Sequence, residues 1–396
     1  MVPTIYGILS DIHTLPGNAR LAIAHLKDKG AQKIILNGDI GEGQPTINAS
    51  RIYIETILQA AADSGLETFV QPGSHERMCA YLPVIREFSQ KYSNIIDVLT
   101  KPIIEGPNHN LLFIPGSDSL NTGEFQLGNE LPTGPYWLIP NAQQQTTTLI
   151  PIPLEDLTDT LLNTMHPNQT TQRYYLNIND IKSKVRDGKK TLAICHVPPK
   201  SHNPKYGVDV AYFGKNQEGA IIPGITIEQQ IRDLVQKKAG REPTRQEIYH
   251  IAKQKGIILQ VDNVGNELLR DLYKELEITR AVNGHIHESG HHAHTTEDIL
   301  LKENEWTQDL MWNSGCLDQN QCGLFEVDED KIRFRNIKIN EETGVSYTLP
   351  PFSSKGITAE SMKVPPPQTR IIKPYEGIIT PSELKPEELQ RLLRHQ

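Results

Sequence analysis

Five short segments, far apart in this chain of 396 residues, end in side chains that bind hard or borderline divalent cations. They are Asp11-Ile12-His13, Gly38-Asp39-Ile40-Gly41-Glu42, Gly73-Ser74-His75-Glu76, Cys195-His196 and Gly284-His285-Ile286-His287. Each follows a short apolar run that reads as a β-strand. Carboxylates and imidazoles gathered at strand ends are what a two-metal hydrolytic centre requires. Such oxygen and nitrogen donors suit manganese, iron or zinc better than thiolate-seeking cations. In Asp11-Ile12-His13 the two donors stand two apart, so in extended chain they project to one side while Ile12 points to the core. His285 and His287 repeat that spacing. Asp39 follows Gly38, and glycine lets the backbone turn close to a ligand. Singly, the first segments read as well as turns or a helix cap, and Gly284-His285-Ile286-His287 is the sharpest of them. Their conjunction at successive strand ends is what points to chemistry.

The elements that must carry these segments alternate. Apolar strands are expected at 4–9, 33–36 and 67–70, with helical spacing at 21–26, 52–62 and 81–92 between and after them. Short strands separated by helices indicate βαβ units and a largely parallel sheet. Ligands bind beyond the carboxyl ends of such strands, where Asp11, Asp39 and His75 fall. Strands at 191–195 and 280–282 deliver His196 and the paired histidines. Helices are expected at 227–238, 244–255 and 267–276, the second opened by a capping box of Thr244 and Glu247. Three or four more short strands run from 299 to 339. The stretch from about 107 to 190, rich in Gly, Asn, Pro and Gln at 115–145, reads as an insert near the metal end, a rim or cap. Tyr136, Trp137, Tyr174 and Tyr175 within it serve as core anchors or as a stacking surface for a base. Residues 341–396 read as a Pro-rich extended tail with a weak terminal helix from Ser382.

Order and spacing of the five segments resemble the calcineurin-like metallophosphoesterases, whose pattern is DxH, GDxx(D/E), GNH(D/E), a lone His after a strand, and GHxH. The resemblance covers roughly residues 1–340. It implies an α/β fold with a two-layer β-sandwich core flanked by helices and two divalent metals at one end. It also implies that Asp11, His13 and His287 hold one metal, that Asp39 bridges, and that His196 and His285 hold the second. A bridging carboxylate keeps two cations roughly 3.5–4 Å apart, where they share a hydroxide nucleophile. His75 would then protonate the leaving oxygen or steady the phosphoryl charge. Glu42 and Glu76 are expected to fix imidazole orientation from behind.

The chain departs from the pattern at Ser74, which stands where the family has an Asn ligand of the second metal. A serine hydroxyl is a poorer and shorter donor, so the second site is expected to be weaker, completed by water, or empty. Family members that act on phosphoproteins carry an Arg soon after the GD segment and another just before GN. Gln44-Pro45 and Pro72 stand in those regions here. Without such bidentate grips, a phosphodiester substrate is favoured over a phosphomonoester. The reading is a metal-dependent phosphodiesterase. Its competitors are a nuclease, a small-molecule phosphomonoesterase, and a degenerate single-metal regulatory or binding module.

Composition narrows the rest. A formal net charge of −8 argues against a protein that wraps nucleic acid through bulk charge, despite basic clusters at 182–190 and 237–245. Those clusters read as solvated helix faces. Four cysteines without a CxxC pair make neither a disulfide framework nor a structural zinc site. Cys195 beside His196 points to the opposite face of its strand and is expected in the core. No apolar run approaches the ~20 residues of a membrane helix, and no signal peptide precedes the first strand. A cytoplasmic protein is expected. Histidines 291, 292 and 294 read as a polar loop, with an accessory metal site as the alternative.

Overall fold

The computed structural model describes residues 3–13, 16–41, 46–117, 123–141, 146–153, 172–217, 219 and 221–340. In the first part, β1 (Thr4–Leu9), α1 (Pro16–Asp28), β2 (Lys33–Asn37), α2 (Ile47–Ser64), β3 (Glu67–Gln71), α3 (Met78–Lys91) and β4 (Ile95–Asp97) follow one another. The four strands pair in parallel. Next come β5 (Ile103–Glu105) and β6 (Asn110–Ile114). An excursion follows with β7 (Phe125–Gly128), β8 (Gly134–Asn141), β9 (Thr146–Pro151), β10 (Gln172–Asn177) and α4 (Ile178–Lys184), after which the chain returns at β11 (Thr191–Cys195). A second excursion holds β12 (Val210–Asn216), β13 (Ile221–Pro223), α5 (Gly224–Ala239), α6 (Arg245–Gln254) and β14 (Ile257–Asn263). Last are α7 (Glu267–Leu276), β15 (Arg280–Asn283), β16 (Ala293–His294), β17 (Leu310–Asn313), β18 (Gln321–Asp328) and β19 (Lys331–Lys338).

Two six-stranded sheets result, in the orders β19-β18-β1-β2-β3-β4 and β16-β17-β15-β11-β6-β5. The alternation of side chains explains why they stack. Tyr6, Ile8, Ile35, Phe69 and Phe325 from the first sheet meet Phe113, Leu192, Ile194, Val282 and Trp312 from the second in one buried layer. Their chain neighbours point the other way: Leu9, Ile34, Leu36 and Val70 pack under α1, α2 and α3. Leu112, Ala193, Cys195, Ala281 and Met311 pack under α4 and α7. Strands buried on both faces read as near-continuous apolar runs, and these do between polar end positions such as Lys33 and Asn37 of β2. The fold is therefore a two-layer sandwich with helices outside both layers. Every segment bearing a candidate ligand leaves the carboxyl end of a parallel strand at the same end of the sandwich.

Two sequence expectations change here. The insert does not begin at 107, because β6 is an interior strand of the second sheet, between β5 and β11. The excursion proper starts after Ile114 and forms its own sheet, β7-β10-β8-β9. Its Tyr136, Trp137 and Tyr175 are buried, and Tyr174 packs on Phe125 at 5.8 Å, so these rings anchor the excursion's core. Residues 210–263 build a further three-stranded sheet, β13-β12-β14, under α5 and α6, where the sequence suggested helices alone. The capping box at Thr244 and Glu247 is present. Basic residues of both clusters are ion-paired on the surface, Lys182 with Glu275 and Arg241 with Glu247. Among the described residues no helix is long and apolar enough to cross a membrane. The expected tail at 341–396 and Glu42 lie outside the described residues.

Candidate metal centre

The expected extended backbone at the ligand segments is absent. Asp11 (φ 54°), His13 (φ 42°), Asp39 (φ 49°) and His285 (φ 69°) all adopt the left-handed region. Each such non-glycine residue costs about 1–3 kcal/mol, and cross-loop hydrogen bonds hold them there. The amides of Ile12 and His13 donate to the Asp39 carbonyl at 2.9 and 3.2 Å. The His285 amide donates to Asp11 Oδ2 at 2.8 Å, and the Gly284 amide to the His196 carbonyl at 3.0 Å. The turns send His285 and His287 to different partners, although they lie two apart.

Asp11, Asp39, His196 and His285 form one group whose ligand atoms lie within 4.8 Å of one another. Asp11, His13 and His287 form a second, and His13, Asp39 and His75 a third. Both carboxylates are thus shared between groups. Asp39 Oδ2 faces His196 Nε2 at 3.3 Å and His13 Nε2 at 3.8 Å. Asp11 Oδ1 faces His287 Nε2 at 3.4 Å, and the two ring nitrogens of His13 and His287 approach to 3.1 Å. Ring nitrogens that close converge where a cation can satisfy them together.

These residues fit a metal on atomic grounds. His196 Nδ1 bonds the Asn37 carbonyl at 2.9 Å, which assigns the proton to Nδ1 in the neutral ring and leaves Nε2 a lone pair facing a carboxylate oxygen. His196 Nε2 and Asp11 Oδ1 are both buried without a hydrogen-bond partner. Unsatisfied buried polar atoms are rare in folded proteins, and an ion is one resolution. Without an ion, protons must serve. Burial opposes charge on His196, but the Asp39 and Asp11 carboxylates raise it to about 10. Burial likewise opposes His287, while Cys316 and Asp11 raise it well above the usual imidazole value. Burial pushes Asp11 and Asp39 up, yet the surrounding imidazoles, His196 foremost among their charges, hold both below the carboxylate range. Burial and then the charge of His196 push His285 down to about 3.

Three glycines permit the close approach. A Cβ on Gly284 would lie 2.6 Å from Asp11 Oδ2, and one on Gly38 would lie 2.8 Å from the Gly73 Cα. At Gly73 it would come within 2.5 Å of the Asp39 backbone nitrogen and collide with the carboxylate. Gly73→Ala is therefore expected to lower metal affinity by at least about tenfold, as loss of a ligand's supporting shell does, while the sandwich stays folded. Wild-type affinity in a metal titration would show that the loops yield without cost.

Ser74 lies against Asp39 instead of standing free. Its hydroxyl is 2.9 Å from Asp39 Oδ2, and the amides of Ser74 and His75 donate to Asp39 Oδ1. Glu76 also differs from expectation. Its two carboxylate oxygens accept from the Gly41 and Gly73 amides at 2.9 and 2.6 Å, so it clamps two ligand loops together and orients no ring in these bonds. Burial and the Asp39 charge push it up to about 7 against those two donors. His75 is exposed at the mouth, edge-on to His13 with ring centroids 4.6 Å apart.

Four supporting residues escaped the sequence reading. Asn37 and Gln71, side by side at the ends of β2 and β3, hydrogen-bond each other and reach the Cys195 and Ile194 carbonyls, tying the two sheets beneath the site. Asn313 donates to the Gly284 and Ile286 carbonyls at 3.3 and 3.0 Å, bracing the paired-histidine turn. The Cys316 thiol donates to the Asp11 carbonyl at 3.3 Å. Polar residues at the last position of apolar strands were the available signal for three of them. Histidines 291, 292 and 294 bond the separate carbonyls of Cys322, Gly207 and Thr295 and form no ligand group among the described residues.

No family model matches the sequence, and no curated protein matches it either. Among solved structures, the chain is similar to a dimetal phosphatase from Danio rerio at 10% identity and TM-score 0.42, over 85% of this chain and 97% of that one. It is similar to a metallophosphoesterase from Sphaerobacter thermophilus at 10% identity and TM-score 0.30, over 88% and 97%. A protein from Thermus thermophilus matches at 8% identity and TM-score 0.47, over 85% and 99%. Likeness at this level assigns no chemistry to the chain.

Proposed function

We propose that this chain is a metallophosphoesterase of the calcineurin-like kind that hydrolyses a phosphodiester at a centre for two divalent cations. The observation that carries the reading is the convergence of Asp11, Asp39 and five histidines into overlapping ligand groups, with a bare ring nitrogen and a bare carboxylate oxygen buried among them. Asp11, His13 and His287 would hold one cation and His196 and His285 the other, with Asp39 a further ligand beside them. Manganese, iron and zinc all suit these donors. Bound cations would activate water and neutralise phosphoryl charge. The chain does the rest. Asn37 keeps the His196 lone pair aimed inward, Glu76 holds the Gly41 and Gly73 loops in register, and Asp39 accepts from the amides that precede and carry His75. His75, at the open edge, holds the proton for the leaving oxygen.

The test is hydrolysis of bis-p-nitrophenyl phosphate and of p-nitrophenyl phosphate by metal-stripped protein, with and without added Mn²⁺. Mn²⁺-dependent turnover that favours the diester supports the reading. Preference for the monoester would transfer it to a phosphomonoesterase. A second reading, a single-cation binding module, is favoured by one contact: the Ser74 hydroxyl engages Asp39, where an amide oxygen would serve a cation. Ser74→Asn is accordingly expected to tighten the weaker of the two sites. Unchanged stoichiometry and affinity by calorimetry would place Ser74 outside the ligand set.

A further inference from the structure

The first excursion is built onto the loop that carries His75. Three ties span that loop. The Gly116 amide donates to the Pro72 carbonyl at 2.9 Å. Gly123 lies so close that a Cβ there would stand 2.5 Å from the Ser74 carbonyl oxygen and 3.0 Å from its Cα. Glu124 Oε2 then accepts the Met78 amide at 2.7 Å. That amide opens α3, whose own N-cap residue, Arg77, makes no side-chain capping bond. Helix starts need an acceptor for their first free amides, and here a residue 46 positions away supplies it.

Glu124 is itself held. It is buried, Gln172 of β10 donates to both its oxygens at 3.1 Å, and its carbonyl accepts the Tyr174 amide at 2.7 Å. The β7–β10 sheet, Glu124 and the start of α3 form one connected set of hydrogen bonds at the end of the loop. Asp39 grips the same loop through the Ser74 and His75 amides.

We infer that Glu124 is a positioning residue for His75, so that the excursion forms the back wall of the leaving-group half of the site. The inference rests on the reading of His75 as the leaving-group acid. A misplacement of about 1 Å in a catalytic group costs about a hundredfold, and an acid matters most when the leaving group is basic.

Glu124→Ala separates this role from a general loss of structure. Turnover of a diester with a simple alkyl leaving group should fall by about a hundredfold. Turnover of bis-p-nitrophenyl phosphate, whose leaving group needs little protonation, should fall by less than about threefold, with bound metal unchanged. Glu124→Gln, which keeps an oxygen for the Met78 amide, should restore most of the loss. Equal loss on both substrates would overturn the proposal. A second measurement is independent of turnover. Amide exchange at 74–78 should quicken in Glu124→Ala while amides 11–13 and 285 stay protected. Unchanged exchange at 74–78 overturns Glu124's role whether or not the chain hydrolyses anything. Silence of the wild type on both diesters, with exchange altered as expected, would count instead against the proposed function.

Discussion

Asp39→Asn is expected to reduce bound metal and to lower turnover by more than about a hundredfold, beyond the range typical of residues that only support a ligand. The substitution is nearly isosteric, so the fold should survive, and its geometry states the consequence. Oδ1 is committed to the Ser74 and His75 amides. The asparagine carbonyl must take that place, because only it can accept. The amide NH₂ then points where Oδ2 was, toward His196 Nε2 and His13 Nε2, at 3.3 and 3.8 Å in the wild type. A donor would face the nitrogens that a cation has to reach. The change also removes the charge that most raises His196, so that imidazole should titrate nearer its ordinary value. Elemental analysis of purified protein and Mn²⁺-stimulated hydrolysis check both parts. Full metal content with turnover within about tenfold of wild type, short of even a supporting residue's usual effect, would remove Asp39 from the centre.

The loops that carry the candidate ligands are legible in the sequence because each sits at the end of an apolar strand, and strand periodicity is a local signal. Thr191–Cys195 and Glu267–Leu276 were read with the bounds the structure has. Local periodicity is also why the rest was not legible. The left-handed backbone at Asp11, His13, Asp39 and His285 is held by hydrogen bonds between loops, and nothing in a tripeptide announces it. Glu76 looked like an imidazole partner from its place beside His75, yet its acceptors are matched to amides at Gly41 and Gly73. The composition around β6 places it with the insert, whereas its pairing with β11, about eighty residues on, decides its membership. The strands of 210–263 escaped for a similar reason. β14 is an edge strand with Ile258 and Val261 exposed, so its pattern resembles neither a buried run nor a clean alternation.

Metal binding to the stripped protein should release protons, and its affinity should rise with pH. In the metal-free chain His196 is raised from 6.5 to about 10, and His287 is raised as well. A cation must displace the proton from each ring it engages, since the ligand form of histidine is neutral. At about pH 8 the His196 ring carries its proton, so filling its group should release about one, and the raised His287 adds to that release. The same shifts fix the stability of the stripped form. A group whose folded pKa is raised contributes stability that is complete below its unfolded value and fades as pH climbs through the folded value. For His196 that window runs from 6.5 to about 10. Stripped protein should lose stability across it, while cation-saturated protein, in which metal replaces the protons, should not. At a fixed cation concentration the gap in melting temperature between the two forms should therefore widen from the lower edge of that window upward as the apparent Kd falls, amounting to about 2.7 kcal/mol where the cation stands at about 100 times that Kd. Titration calorimetry in two buffers of different ionisation enthalpy measures the release directly. Heats that do not depend on the buffer would mean that the rings are neutral before the cation arrives. The carboxylates would then carry the centre's charge without proton compensation, and Asp39→Asn should raise the melting temperature of the stripped protein by relieving the repulsion between Asp11 and Asp39.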